Sequence, residues 1–291
     1  MYIVVGASGQ VGSAVVRNLL QREVPVKGIV HDSQKAGKLE KQGAKVTVAD
    51  AFDLPALTEC FKDGHVLFVI TPETGRNQDV LKDTQTILGN YREAIKGSSV
   101  KKIIGLSSIG AQHAQGKGNL EMSFMLEHAF EGLPVHQVFI RPAYYFSNWF
   151  MSLDQIKAEG VLYTFYPLDF AIPMISPQDV GQIIAEIMVH EESDSITYEL
   201  EGPQAYTSVE VASAFAKALN KEIRAVQIPR DEWGVVLQKL GFSKNGIMNF
   251  VKMTDAVIDG SAVAEKQGMV AVKGATTLQQ FVDQRIAELN D

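Results

Sequence analysis

The sequence predicts an α/β protein: a parallel sheet with helices on both faces, followed by a smaller C-terminal α/β lobe. Three observations carry that expectation. Strand-like apolar runs and helix-like patterns alternate from Tyr2 to Ile140. One run, Val66 to Ile70, is apolar at every position, as a parallel strand buried on both faces must be. The chain also opens with YIVVGASGQVGSAVVRNLL, a strand, a glycine turn and a helix in the order of a Rossmann-type dinucleotide-binding unit.

In that opening, Gly6 is expected to turn the chain out of the strand. Gly9 lets backbone approach a pyrophosphate, and Gly12 lets the helix pack closely on the strand. The spacing is G-x-x-G-x-x-G, and the helix N-terminus offers unpaired N–H groups to phosphates. A second strand is expected from Val24 to Val30, ending at His31, Asp32 and Ser33. A ribose is met there, and two readings stay open. Asp32 binding a 2′-hydroxyl favours NAD; His31 and Lys35 holding a 2′-phosphate favour NADP. Lys45 to Ala49 alternates as a third strand, and a helix opens at Asp53 with Pro55 in its first turn. The strand over Val66–Ile70 stops at Thr71 and Pro72, at the end where ligands bind. A long helix from Asn77 to Lys96 leads to a strand over Ile103–Leu106 that ends in Ser107 and Ser108.

A loop then carries Lys117, and a helix is expected from Leu120 to Phe130. Its methionines and aromatics at helical spacing read as core. The strand over Val135–Ile140 runs into Arg141-Pro-Ala-Tyr-Tyr-Phe-Ser-Asn-Trp. Beyond about residue 150 elements shorten: a helix over Ser176–His190, a strand over Thr197–Leu200, and a helix opened by the capping box Thr207-Ser-Val-Glu. A strand over Arg224–Ile228 and two or three helices complete the chain. Residues 1–150 are assigned to the nucleotide-binding domain and 151–291 to a lobe covering the substrate, its segments interleaved with the sheet.

Hydride chemistry on this scaffold needs a hydroxyl or cation near the nicotinamide. No tyrosine has a lysine four residues on, so the pair used by ordinary short-chain dehydrogenases is missing: Tyr144 is followed by Asn148 and Tyr145 by Trp149. Tyr144, Ser107 and Lys117 are the candidates to polarise or protonate a substrate carbonyl, with Ser108 beside the cofactor. Tyr145, Asn148 and Trp149 are candidates to contact substrate. An equal alternative makes the aromatic residues from Tyr144 to Phe150 an apolar wall, with Asn148 capping a turn.

The bulk numbers exclude other classes. A net charge of −7 over 291 residues, with no lysine or arginine cluster, argues against nucleic acid. The single cysteine, Cys60, fits a reducing compartment, and the N-terminal apolar run is too short for a signal peptide. A cytoplasmic location is expected, with no membrane span. The six histidines show no metal-ligand spacing.

Together GASGQVG, IVHDSQKAGKL, VTVADAFD, KKIIGLSSIGA and GLPVHQVFIRPAYYFSNW resemble the NmrA-like branch of the atypical short-chain dehydrogenases. The resemblance covers nearly the whole chain and weakens after residue 220. It implies Ser8, Gln10 and Val11 on the pyrophosphate. It implies His31 and Lys35 near a 2′-phosphate, Asp50, Ala51 and Phe52 around the adenine, and Thr71 and Pro72 beside the nicotinamide ribose. Relatives often carry Arg where this chain has His31. The implied cofactor is NADP, with NAD as the alternative. The implied activity is reduction of a quinone-like or other conjugated apolar acceptor, a small-molecule substrate. Some members of the branch are redox sensors instead, so the second expectation is a non-catalytic NADP(H) sensor acting through a protein partner, with a homodimer also open.

Overall fold

In the computed structural model, residues 1–72, 75–190 and 195–290 are described. The first half forms β1 (Tyr2–Val5), α1 (Gln10–Gln21), β2 (Val26–Val30), α2 (Ala36–Lys41), β3 (Lys45–Val48), α3 (Leu54–Phe61), β4 (Val66–Ile70), α4 (Val80–Lys96), β5 (Lys102–Leu106), α5 (Leu120–His128) and β6 (His136–Pro142). Strands Ile196–Glu201 and Val270–Lys273 complete an eight-stranded sheet among the described residues. Its order is Val270–Lys273, Ile196–Glu201, β6, β5, β4, β1, β2, β3, and every pairing is parallel.

A parallel sheet must be covered on both faces, and two cores do this. On one face α1 and helix Pro177–Val189 bury Val11, Val15, Leu19, Val180 and Ile184 against Val4 and Phe68. The two helices approach so closely that a Cβ on Gly181 would lie 2.4 Å from the Ala14 Cβ. On the other face α3, α4 and α5 bury Leu57, Phe61, Ile87, Tyr91 and Leu126 against Ile3, Leu67 and Ile103. Each such apolar side chain contributes about 1.5–3 kcal/mol by burial. Lys102, itself buried, donates to the carbonyls of Ile187 and His190 and so ties off the end of helix Pro177–Val189.

A third core forms the smaller lobe, from Phe146, Trp149, Ile156, Leu162, Met174, Phe215 and Phe281 among others. It carries a three-stranded sheet of Ala205–Tyr206, Ile172–Ile175 and Tyr144–Tyr145, and a parallel pair of Arg224–Gln227 with Val161–Thr164. Helix Pro177–Val189 and strands Ile196–Glu201 and Val270–Lys273 lie past residue 150 yet pack on or in the main sheet.

Local chemistry explains where elements begin. β2 starts at Val26 because Pro25 has no N–H; its carbonyl accepts from the Tyr2 N–H instead. Asp53 caps α3 by accepting from the Ala56 N–H, with proline in the first turn. α4 starts at Val80, later than its apolar pattern suggests, because the Asp79 carboxylate caps it through the Lys82 N–H. Thr207 and Glu210 form the expected capping box. α5 ends at His128, short of Phe130, with Met122 and Leu126 buried and Phe124 and Met125 half-buried. Strands Val161–Thr164, Ile172–Ile175 and Val270–Lys273 are additions that the sequence pattern does not announce. Among the described residues no helix is long and apolar enough to cross a membrane.

Candidate functional site at the carboxyl edge of the sheet

The site is built where the strands end. Gly6 turns the chain with φ +67°, and a Cβ there would lie 2.3 Å from Ile70 Cδ1. Its carbonyl accepts the Gly9 N–H at 2.9 Å. A Cβ on Gly12 would fall 2.2 Å from that same carbonyl oxygen, so Gly12 lets α1 pack on the turn rather than on the strand proper. Gly9 is the N-cap of α1, and no side chain caps it. First-turn N–H groups are therefore left for a ligand, at the positive end of the helix dipole. Ser8 is half-buried and Gln10 exposed beside them; the Val11 side chain is buried, so only its backbone can face a phosphate. A cradle that side chains would fill, backed by open N–H groups, fits a dinucleotide pyrophosphate.

At the ends of β2 and β3, His31 and Asp50 meet, with Nδ1 3.8 Å from a carboxylate oxygen and both side chains exposed. The Asp32 carboxylate turns into its own loop, where it accepts the Gln34 N–H at 2.9 Å. It caps the short helical turn that follows, and His31 and Lys35 are the exposed basic groups of this loop, beside the exposed Ser33 and Gln34. Asp50 also accepts the Phe52 N–H, the Phe52 ring is exposed, and the Ala51 carbonyl accepts from Asn90 Nδ2 at 3.0 Å. Behind them the Tyr91 hydroxyl is buried with no partner among the described residues; burial and then Asp50 push its pKa up.

Past β4, Thr71 and Pro72 are half-buried. The chain resumes at Gly75, whose carbonyl accepts the Ser243 N–H at 3.0 Å. Helix Lys244–Ile258 presses on it so closely that a Cβ on Gly246 would lie 2.1 Å from the Gly75 oxygen. Asn245 Oδ1 accepts the Val80 N–H at the start of α4, and Asn249 Nδ2 donates to the same oxygen. One turn on, the Asn249 carbonyl accepts the Asn119 N–H at 3.3 Å, and a Cβ on Gly118 would overlap the Asn249 backbone. One helix thus braces the loops that leave β4 and β5.

The segment after that helix continues across the edge. Gln112 donates to the Val263 carbonyl at 3.1 Å, and His113 Nε2 lies 2.7 Å from the Ser261 carbonyl. Lys117 Nζ donates to Ser261 Oγ at 2.7 Å and sits 3.9 Å from Asp259. Further along, Glu199 accepts the backbone N–H groups of Glu265 and Lys266. Phe242 to Lys266 therefore forms one continuous cover, fastened at the β4 loop, the β5 loop and the strand Ile196–Glu201.

This arrangement engages two of the expected catalytic residues. Lys117, its side chain 25% exposed, is hydrogen-bonded to the cover at Ser261. Ser107 is buried and donates to Glu127 at 2.5 Å. Glu127 in turn takes two hydrogen bonds from Arg141, at 2.8 and 2.7 Å. Arg141 also donates to Glu265 at 2.8 Å and lies 3.6 Å from Glu199. Burial alone would lower the Arg141 guanidinium, but its bonds to Glu127 and Glu265 outweigh that and hold it above its ordinary range. Ser107 belongs to this network. Ser108 is half-buried, and its hydroxyl bonds the Ile109 carbonyl.

Tyr144 is half-buried, its side chain hydrogen-bonded to Asn148. Its ring meets Trp149 and Tyr166 edge-on, each at 5.8 Å. Burial pushes its pKa up to about 12, against a smaller opposing effect of Asn148. Asn148 thus pairs with Tyr144 rather than simply capping a turn. Tyr145 packs on the first core and is also pushed up by burial. The Trp149 indole is buried and its N–H faces Met174 Sδ at 3.4 Å, inside the third core, which is the apolar-wall arrangement for this side chain. Ser147 escaped the sequence reading; its hydroxyl is buried with no partner among the described residues.

A Rossmann-type parallel sheet with helices on both faces, a glycine cradle at β1 and a covered carboxyl edge defines the α/β class of the fold. The chain belongs to the NmrA-like family, which matches residues 2–289. An NAD(P)H azoreductase of Xenophilus azovorans is 24% identical over 246 residues, covering 84% of this chain and 83% of its own. An NADPH-dependent quinone oxidoreductase of Escherichia coli, solved with NADPH, superposes with a TM-score of 0.78 at 22% identity over 100% of both chains. A triphenylmethane reductase of Citrobacter sp., solved with NADP(H), gives a TM-score of 0.78 at 21% identity over 98% of this chain and 99% of its own.

Proposed function

We propose that this chain is an NAD(P)H-dependent reductase of quinone-like or other conjugated apolar acceptors, with NADPH as the preferred donor. The observation that carries the reading is the glycine cradle at the uncapped start of α1, with His31 and Lys35 exposed after β2, the strand that pairs with β1. The azo, quinone and triphenylmethane substrates in the relatives' names support the acceptor class.

The reduced nicotinamide, when bound, supplies the hydride. Gly6, Gly9 and Gly12 admit the pyrophosphate, and the first N–H groups of α1 hold its charge. His31 and Lys35 take the 2′-phosphate, a role left to them because Asp32 is occupied as a cap. Thr71 and Pro72 border the nicotinamide ribose. Tyr144 keeps its proton at neutral pH, since its pKa is pushed up to about 12, and donates a hydrogen bond to the acceptor oxygen as that oxygen gains negative charge. Asn148 orients the Tyr144 hydroxyl. A hydroquinone-type product leaves with its proton taken from solvent, so a strong general acid is not required.

The test is a fluorescence titration with NADPH, NADH, NADP and NAD, followed by absorbance of the reduced nicotinamide on adding quinones. Saturable NADPH binding with quinone-dependent oxidation is expected. Binding without turnover across the panel would shift the reading to a redox sensor. Failure to bind any of the four nucleotides would overturn both.

A further inference from the structure

A fourth apolar group lies outside the three cores. Phe165, Phe242 and Phe250 are each half-buried, and none belongs to the clusters described above. Their rings meet near right angles: Phe165–Phe250 at 5.4 Å and 66°, Phe242–Phe250 at 5.8 Å and 65°. Trp233 backs them, 5.3 Å from Phe165, with its indole N–H donated to the Ile228 carbonyl. Each of the three phenylalanines is only half-buried, so aromatic surface stays uncovered, and such surface stacks favourably on a planar conjugated molecule.

The chain ties this group to the candidate site at three points. Phe242 precedes Ser243, which is bonded to Gly75 in the loop after β4. Phe250 follows Asn249, which is bonded to Asn119 in the loop after β5. Phe165 precedes Tyr166, whose ring stands edge-on to Tyr144. We infer that Phe165, Phe242 and Phe250 form the wall against which the acceptor lies, and that they set how many fused rings it can carry. The inference rests on the reductase reading for its acceptor class. It places specificity on the cover segment rather than on the Tyr144–Trp149 turn, whose tryptophan is spent in the core.

The test compares wild type with Phe242→Ala, Phe250→Ala and the volume-keeping Phe250→Leu. Acceptors are quinones of one, two and three fused rings, and NADPH affinity is measured separately. Loss of one aromatic face is expected to raise KM for two- and three-ring quinones about tenfold, and for one-ring quinone less than about threefold. NADPH affinity should not change. Phe250→Leu should remain folded, with a Tm between those of Phe250→Ala and wild type, while losing the ring-size preference as fully as Phe250→Ala does, which separates specificity from folding. An unchanged preference, or an equal loss for all acceptors, overturns the inference. Equilibrium binding of a planar azo dye, read by its absorbance shift without nucleotide, distinguishes the two readings. If wild type reduces nothing in the panel, the reductase reading fails; dye binding weakened by Phe250→Leu still supports the wall, and unchanged dye binding overturns it.

Discussion

Replacing Arg141 with methionine is the sharpest perturbation of the carboxyl edge. The guanidinium makes three hydrogen bonds of 2.7–2.8 Å, two to Glu127 and one to Glu265, and stands 3.6 Å from Glu199. The side chains of Arg141, Glu127 and Glu199 are 5%, 8% and 3% exposed, so water cannot replace the lost partner for two of the three carboxylates. Glu265 is 40% exposed and can turn to solvent. Stranding a buried charge costs about 3–5 kcal/mol, whereas an exposed pair is worth at most about 1. For a chain of this size each kcal/mol lowers Tm by about 2–4 °C, so the expected fall is roughly 6–20 °C. Thermal unfolding followed by circular dichroism measures it. Adding Glu127→Gln should recover part of the loss, because the amide can still accept from Ser107 while removing one stranded charge. A loss no greater than that of a surface pair, or no recovery in the double variant, would refute the account of the network as desolvated. The same variant frees Glu265, so acceptor KM should rise while NADPH affinity holds.

Three further outcomes are expected. Gly12→Ala places a methyl 2.2 Å from the Gly6 carbonyl and must push α1 off the turn; NADPH Kd should rise at least about tenfold by fluorescence titration, since overpacking costs about 1–3 kcal/mol. His31→Ala with Lys35→Ala should weaken NADPH about tenfold or more and leave NADH unchanged, measured in the same titration, because only the 2′-phosphate carries the extra charge. Tyr144→Phe should lower kcat about ten- to a hundredfold with KM for NADPH unchanged. In wild type the phenol is neutral below its raised pKa, so the contribution of Tyr144 should be constant from pH 6 to 9 and fall only as pH nears about 12, as read from a kcat–pH profile.

What was legible in the sequence is what neighbours along the chain decide. The strand–turn–helix at Tyr2–Gln21 rests on glycines three residues apart, and the Asp53 cap and the Thr207–Glu210 box on partners within three. Tertiary partners were invisible. Nothing near Ser107 announces that Glu127 will take its hydroxyl, and Lys117 finds Ser261 far along the chain. Asp32 reads in the sequence as a ribose ligand or as part of a turn opening a helix at Ser33, and the choice turns on where one carboxylate oxygen bonds, which spacing alone does not give. Trp149 stands beside Asn148 in an aromatic stretch that reads equally as pocket lining or apolar wall, and only the short helical turn over Phe146–Ser152 sends it inward toward Met174. The meeting of Phe242 and Phe250 with Phe165 gives no sign in the sequence because it brings together residues more than seventy positions apart. Strand Val270–Lys273 was missed because an edge strand with Val270 exposed lacks the continuous apolar run of the central strands.

Ile196–Glu201 and Val270–Lys273 are hydrogen-bonded neighbours, with Tyr198 opposite Val270. Everything between them, including the Phe242–Lys266 cover, is thus an excursion that leaves the sheet and returns to the adjacent rail. The entropy of closing such an excursion grows only slowly with its length. Insertions in its exposed turns therefore cost the sheet little, whereas its core helix and paired strand stay fixed by their partners. A lineage can revise the cover of the carboxyl edge by editing those turns alone, leaving the strand order as it was.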